Sequence, residues 1–192
     1  GEGLAKIDES IAMNPPSVYA ATKASCEFMG RAYAKRYGFE FICLRYTGGL
    51  YGPSPAALKA TREIATQQMI RAAVKGKAAK IGWPYGPAEI LYGKDAAKGT
   101  VLAVLKDKFK DNLFHIGNGD TLSGDDIVAA VRKVFPGSSI DLIKANNPMP
   151  YPESRLASDF SRAKAQLDYE PEYTIEKAVA DYGATLKRLE NI

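Results

Sequence analysis

Apolar side chains recur at helical spacing along much of the chain, and the clearest run extends from Ser17 to Tyr37. Val18, Phe28 and Met29 belong to its apolar set, which repeats every three to four residues. Gly38 follows directly and predicts the end of the helix, because glycine readily adopts the left-handed conformation of helix ends. The same periodicity predicts further helices over residues 55–74, 95–105, 123–135, 159–167 and 175–189.

Segments of a different pattern lie between these helices. Residues Phe39 to Tyr46 are almost continuously apolar and rich in residues that favour strands, which is typical of a strand buried on both faces in a parallel sheet. Shorter strands are predicted over residues 112–116 and 139–143, whereas residues 47–53 and 82–92 lack periodicity and are predicted to be irregular. The alternation of helices and strands predicts the α/β class.

Composition and charge favour a folded domain that does not bind nucleic acid, but they do not indicate a reaction. The chain has 192 residues, of which 46% are hydrophobic, so a packed core is expected. The net charge of +4 comes partly from two lysine groups, residues 75–80 and 106–110. Both adjoin apolar helical stretches, which favours solvated helix ends over a nucleic-acid surface.

The cysteines and the apolar runs predict a cytoplasmic protein. Cys26 and Cys43 stand in apolar surroundings without metal-ligand spacing, and we expect both to be buried, reduced thiols and no metal to be bound. No apolar run approaches the ~20 residues of a membrane-spanning helix, so a membrane partner is not expected.

The first candidate chemistry is Tyr19 with Lys23. Their spacing of four residues on a helix directs both side chains to one face, about one turn apart. The ammonium would stabilise the phenolate, so the pair could exchange a proton with a substrate hydroxyl or carbonyl. This spacing is weak evidence by itself, because Tyr173 and Lys177 share it. Tyr19 differs in context, since it follows Ser17 at a helix start that leads into a buried strand.

Around this pair the sequence resembles a known family. Ser17-Val18-Tyr19-Ala20-Ala21-Thr22-Lys23, followed by Glu27, resembles the Ser-x-Tyr-x-x-x-Lys-x-x-x-Glu segment of the extended short-chain dehydrogenases/reductases, the NAD-dependent epimerase/dehydratase group. Further landmarks follow in the family's order at residues 44–45, 51–53, 92–97, 114–119 and 158–171. Several landmarks in the correct order are far more specific than one short motif.

The resemblance implies a fold and a division of the chain. The fold would be the C-terminal half of an extended Rossmann-type protein, a doubly wound parallel sheet with a smaller α/β substrate lobe. Residues 1–50 would end the nucleotide-binding domain, and residues 95–116 would supply its last helix and strand. Residues 51–94 and 117–192 would form the substrate lobe.

The resemblance also implies roles for residues. Tyr19 would be the catalytic acid and base, and Lys23 would bind the nicotinamide ribose and favour the phenolate. The cofactor, NAD or NADP, would be contacted by Tyr19, Lys23 and the loop residues Thr47, Gly48, Gly49 and Leu50.

Two features depart from the family pattern. The family's glycine-rich nucleotide-binding turn and its catalytic Ser or Thr precede the tyrosine, in a stretch that this sequence lacks. Gly117 and Gly119, with Gly124, do not have the spacing of the dinucleotide fingerprint, so we interpret them as a structural turn. We therefore expect the chain to be inactive alone and to need an N-terminal half from the same or a separate polypeptide.

The second departure concerns the substrate. Ala88 stands where nucleotide-sugar enzymes of the family commonly have an arginine, and Gly48-Gly49 replaces the usual Asn. Arginine is the natural bidentate partner of a diphosphate, so such a substrate is doubtful unless another residue substitutes. Candidate substrate contacts are Trp83, Tyr85, Glu89 and Arg155. Loop packing is an equal alternative for the aromatic residues, and a solvated surface position is an alternative for Glu89 and Arg155.

Two classes of function remain. The first is an NAD(P)-dependent oxidoreductase, epimerase or dehydratase acting on a sugar-like or small hydroxy or carbonyl substrate. The second is a non-catalytic nucleotide-sensing or scaffold relative of the same fold. The intact Tyr19 and Lys23 favour the enzyme, and the resemblance implies a homodimer formed through the long helices. His115, the only histidine, lies in a predicted strand and is interpreted as a core or edge residue of the sheet rather than a catalytic one.

Overall fold

The computed structural model describes residues 6–53, 63–83, 86–144 and 156–191. The helices are α1 (Val18–Tyr37), α2 (Ala65–Val74), α3 (Gly93–Leu105), α4 (Gly124–Val134), α5 (Ser161–Leu167) and α6 (Ile175–Glu190). The strands are β1 (Cys43–Tyr46), β2 (Gly49–Tyr51), β3 (Ala79–Trp83), β4 (Ile90–Tyr92), β5 (Leu113–Ile116) and β6 (Ile140–Lys144).

The described strands pair in parallel, as the α/β class requires. β1 pairs with β5, with Cys43 opposite Leu113. β2 pairs with β4, and β3 pairs with β6. Parallel pairing places the carboxyl ends of β1 and β5 side by side, so the loops that leave them, residues 47–48 and 117–119, start at one edge.

Helix α1 has the ends that its sequence predicts. The Ser17 hydroxyl accepts a hydrogen bond from the Ala20 amide at 3.2 Å and caps the first turn. Gly38 has a φ of 72°, and its amide donates to the Ala34 carbonyl. The predicted helix start and stop are therefore confirmed, and they fix Tyr19 in the first turn of α1.

Three predictions of secondary structure were wrong. The segments predicted as irregular contain β2, the end of β3 and all of β4. β2 and β4 have three residues each, too few for an alternating pattern to be recognised, and long-range pairing defines them. Within the described part of the helix predicted over residues 55–74, helical structure begins at Ala65, because Ile64 before it has an extended backbone. Residues 54–62 lie outside the described residues.

In the described part of the chain, the buried apolar side chains form two clusters. One lies among α2, α4, α6, β3 and β6, where Met69, Ile70 and Ile127 are fully buried. The other surrounds β5, where Phe114 and Ile116 pack with residues of α3 and α5. Helix α5 thus packs with the β1–β5 pair, although the predicted division assigned residues 117–192 to the substrate lobe. The division itself stays a prediction.

The cysteines differ from expectation. Cys26 is exposed and Cys43 is half-buried, so the prediction that both are buried was wrong. Cys26 lies on α1, whose apolar residues point largely outward, and this explains the error. His115 is buried; its amide donates to Glu9 Oε1 at 2.8 Å, and its Nδ1 lies 3.1 Å from the Ile7 carbonyl oxygen. Of the core and edge positions predicted for the histidine, its burial and these contacts fit the core position.

The described helices include none with both the length and the apolar character needed to cross a bilayer.

Candidate active site

Tyr19 and Lys23 lie side by side on the exposed surface of α1. The Tyr19 side chain is 72% exposed, and the Lys23 Nζ lies 5.6 Å from the centre of its ring. The Ser17 cap fixes the backbone beneath them. The arrangement leaves both the phenol and the ammonium accessible to a bound molecule.

One buried carboxylate fixes the face that α1 turns inward. Glu27 is the one buried residue of α1, and its carboxylate accepts from Arg45 Nε at 2.9 Å and from Arg45 Nη2 at 3.0 Å. Arg31 Nη2 donates to it at 2.6 Å. Burial alone would raise the pKa of Glu27, but the Arg45 hydrogen bonds and charge hold it below its usual value. Arg45 belongs to β1, so this bidentate pair ties the helix to the strand.

Cys43 lies next to the same carboxylate. Its Sγ is 3.4 Å from Glu27 Oε2. Burial and the negative charge of Glu27 raise the pKa of the thiol to about 11. The thiol is therefore protonated at neutral pH, which does not suit a nucleophile.

The loop from Thr47 to Leu50 leaves the carboxyl end of β1. The Thr47 amide donates to the Ile116 carbonyl at 3.1 Å, and the Gly49 amide donates to the Glu89 carbonyl at 3.1 Å. Gly48 has a φ of 69°, and a Cβ there would overlap the Glu89 carbonyl. Only glycine fits this close approach. Leu50 is 50% exposed, so the loop presents an apolar side chain outward.

Glu89 lies in a buried environment, not at the solvated surface position that the sequence left open. It is only 2% exposed, so the solvated alternative was wrong. Its carboxylate accepts from the amides of Asn118, Gly119 and Ser158 and from the Ser158 hydroxyl, at 2.7–2.9 Å. These contacts occupy the carboxylate inside the chain and leave it poorly placed to meet a substrate.

The turn at residues 117–119 is engaged by the same carboxylate. The Asn118 and Gly119 amides both point at Glu89, and Gly119 has a φ of 72°. The amides that a dinucleotide phosphate would need are therefore already bound to a side chain. This supports the interpretation of the turn as structural.

Of the other candidate substrate residues, Trp83 lies within the described part of the chain. Trp83 is half-buried at the end of β3, and its ring packs so closely on Gly124 that a Cβ there would lie 2.9 Å from it. Ala88 is buried and exchanges two backbone hydrogen bonds with Leu122. Tyr85 and Arg155 lie outside the described residues.

The second Tyr/Lys pair serves as an internal comparison. Lys177 Nζ lies 4.7 Å from the centre of the Tyr173 ring, closer than in the first pair. Tyr173, however, packs against the buried Tyr92 with ring centres 4.7 Å apart, and Lys177 donates to the Glu172 carbonyl. Proximity of lysine and tyrosine thus does not identify a site, whereas the exposure of Tyr19 distinguishes the first pair.

Two polar contacts hold the landmark at residues 92–97 in place. The Tyr92 hydroxyl donates to Asp181 Oδ2 at 2.5 Å, and the buried Asp95 carboxylate accepts from the Glu172 amide at 2.8 Å. Burial raises the pKa of Asp95. These residues, which sequence reasoning recognised only as part of a motif, attach the start of α3 to α6 and to the segment before it. Among the described residues, no group of histidine, cysteine and acidic side chains is arranged to hold a metal ion.

Comparison with known proteins adds independent information. Residues 3–182 match the sequence model of a protein family described as GDP-mannose 4,6 dehydratase. An uncharacterised protein of Methanocaldococcus jannaschii is 29% identical over 86% of this chain and 48% of its own length. The UDP-glucose 4-epimerase of Halalkalibacterium halodurans is 26% identical over 87% of this chain and 53% of its own length.

Solved structures share the fold. UDP-glucuronic acid 4-epimerase from Bacillus cereus, in complex with UDP-glucuronic acid and NAD, aligns with a TM-score of 0.75 at 24% identity, over 98% of this chain and 58% of that one. UDP-glucose 4-epimerase from Thermotoga maritima with UDP-glucose aligns with a TM-score of 0.80 at 18% identity, over 99% of this chain and 60% of that one. The chain spans about half the length of the curated relatives it matches.

Proposed function

Because the chain belongs to the GDP-mannose 4,6-dehydratase family, we propose that it forms part of an NAD(P)-dependent epimerase, dehydratase or oxidoreductase acting on a sugar-like or small hydroxy or carbonyl substrate. Membership confirms the resemblance to the extended short-chain dehydrogenases/reductases and the α/β class that it implied. The observation that carries the proposal is the exposed Tyr19 beside Lys23 at the start of α1.

The two side chains have the chemistry that this reaction needs. A phenol hydroxyl can donate a proton or, as phenolate, accept one from a substrate hydroxyl. The Lys23 ammonium stabilises the phenolate and offers donors to ribose hydroxyls. When bound, NAD(P) would supply the hydride acceptor and donor. Tyr19 would move the proton that accompanies the hydride.

The nicotinamide end of the cofactor fits the residues that are present. Lys23 is exposed, and the Thr47–Leu50 loop lies at the carboxyl end of β1, the edge where parallel α/β sheets bind nucleotides. The Asn118 and Gly119 amides are occupied, so we propose that the diphosphate binds to residues of a further N-terminal half. That half would belong to the same polypeptide or to a separate chain.

The nature of the substrate is proposed from the relatives. The two epimerase structures compared above contain UDP-glucuronic acid and UDP-glucose. This favours a nucleotide sugar as the substrate of the complete protein. Ala88 is buried and carries no charge, so it cannot clamp a diphosphate. We therefore propose that any diphosphate clamp is provided by another residue, for which Arg155 is the candidate from sequence.

The alternative is a non-catalytic relative that senses nucleotides or acts as a scaffold. Such a protein would have no need of an accessible phenol and ammonium on one helix face. The exposure of Tyr19 therefore favours the enzyme.

Replacement of Tyr19 by Phe tests the proposal. In the complete protein, Tyr19→Phe should reduce turnover of a nucleotide sugar by a factor of about 10³ or more, because the proton carrier is lost. NAD affinity, measured by calorimetry, should change little. Tyr173→Phe is the matched control, since Tyr173 has the same spacing to a lysine but packs against Tyr92. Unchanged turnover in Tyr19→Phe would contradict the catalytic role.

A further inference from the structure

Glu89 lies where the β1–β5 pair meets the β2–β4 pair. It directly precedes β4, and its carboxylate is held from two segments that are distant in sequence. Oε1 accepts from the Asn118 amide at 2.7 Å, the Gly119 amide at 2.9 Å and the Ser158 hydroxyl at 2.9 Å. Oε2 accepts from the Ser158 amide at 2.8 Å. Buried, charge-assisted hydrogen bonds of this kind hold their partners firmly.

The backbone of Glu89 defines the path of the loop after β1. Its carbonyl accepts from the Gly49 amide at 3.1 Å. Gly48 approaches the same carbonyl so closely that any side chain would collide with it. The register of β2 on β4 starts from this contact, with Gly49 opposite Ile90. Displacement of Glu89 would therefore move the loop.

Thr47 completes the junction from the other side. Its hydroxyl lies 3.3 Å from the Ser158 hydroxyl, which lies 2.9 Å from the carboxylate. A Cβ on Gly117 would collide with Thr47 Oγ1, Ser158 Oγ and Glu89 Oε1 together. The ends of β1 and β5, the start of β4 and the segment before α5 thus converge closely on one buried carboxylate.

We propose that Glu89 is a positioning residue that holds the Thr47–Leu50 loop in the geometry required for the nicotinamide, and that it does not contact the substrate. This inference rests on the proposed function, because the loop matters to chemistry only if a nicotinamide lies beside it. Small displacements of positioning groups reduce the rate of reaction more than they weaken ground-state binding.

Hydrogen exchange measures the positioning directly and does not depend on activity. In the complete protein with NAD, Glu89→Gln should increase amide exchange in a peptide covering residues 47–50 by about tenfold, because the amide group would face the N–H donors with its own N–H₂. Exchange within α1 should remain unchanged. Glu170→Gln is the control, since Glu170 pairs only with Lys164 on the exposed surface. Unchanged exchange at residues 47–50 would overturn the inference.

Steady-state kinetics separate positioning from substrate contact. Glu89→Gln should lower kcat about tenfold, with KM for the nucleotide sugar within about threefold of the wild-type value. Glu89→Asp, which keeps the charge on a shorter side chain, should recover part of kcat. A KM raised about tenfold at unchanged kcat would instead identify a substrate contact and overturn the inference.

If Glu89→Gln fails to fold, a less disruptive substitution tests the same inference. Ser158→Ala removes only the hydroxyl between Glu89 and Thr47, and we expect about threefold faster exchange at residues 47–50 and a similar loss of kcat. Normal loop exchange and kcat in Ser158→Ala and Glu89→Asp would contradict the inference. A complete wild-type protein that oxidises or reduces no sugar-like, small hydroxy or carbonyl substrate would refute the proposed function, whereas the exchange result would still report on the junction.

Discussion

At the residue scale, Glu27 attaches α1 to strand β1 through its ion pair with Arg45. Its side chain is 5% exposed, and its bidentate partner Arg45 is 21% exposed. Truncating one member of such a pair leaves the other charge partly buried without its partner. The pair therefore stabilises the helix that carries Tyr19, although it takes no part in proton transfer.

We expect Glu27→Gln to lower the free energy of unfolding by about 2 kcal/mol, below the ~3–5 kcal/mol of a fully buried pair because Arg45 retains contact with water. Chemical denaturation at pH 7 measures this change. Glu170→Gln removes only an exposed pair and should change the free energy of unfolding far less than Glu27→Gln does. Equal effects of the two substitutions would contradict the role of Glu27.

The difference in the free energy of unfolding between the wild type and Glu27→Gln should depend on pH. The pKa of Glu27 is lowered in the folded chain from a reference value of 4.5. The stabilisation that the Glu27 carboxylate provides is therefore fully present at pH values above its pKa in the unfolded chain. It is lost as the pH falls through its lower pKa in the folded chain. Denaturation curves of the two proteins should converge in that acidic range, and a constant difference would contradict the assignment.

At the scale of elements, α1 presents an apolar stripe to solvent. Val18, Met29, Tyr33 and Tyr37 are each more than half exposed, and the rings of Tyr33 and Tyr37 stack with centres 5.6 Å apart. Contiguous exposed apolar side chains of this kind mark an interface. The resemblance to the family implies pairing through this helix, so we propose that in the complete protein a second copy covers the stripe.

Charged substitutions within the stripe test the dimer. Met29→Glu combined with Tyr33→Glu should convert the complete protein to a monomer, because each carboxylate would have to be desolvated in the interface. Light scattering during gel filtration gives the mass. Lys35→Glu, on the other side of the same helix, should leave the dimer intact. A monomeric wild type, or a doubly substituted protein that stays dimeric, would contradict this interpretation.

At the scale of the whole molecule, the sequence predicted what is periodic or locally encoded. Helix α1 followed from the spacing of its apolar residues and from the glycine at its end. The parallel α/β class followed from alternation, and Tyr19 with Lys23 followed from spacing combined with the neighbouring landmarks. Cys26 was predicted incorrectly, because the periodicity does not reveal which apolar face of α1 is covered within the chain.

Contacts between residues distant along the chain could not be predicted from the sequence. The donors to Glu89 lie 29 to 69 residues away along the chain, so no local pattern could distinguish a buried junction from a substrate contact. Strands β2 and β4 exist through their pairing with each other, and the solvated position considered for Glu89 was wrong for the same reason. Only the folded chain brings these segments together.

Rapid mixing of the complete, NAD-loaded protein with a nucleotide sugar tests the central claim most directly. The near-ultraviolet absorbance of reduced nicotinamide reports a single hydride transfer without the later steps. The wild type should reduce its cofactor within the time of one turnover, and Tyr19→Phe should slow that reduction by a factor of about 10³ while still binding NAD and sugar. Equal rates of reduction in the two proteins would contradict the account.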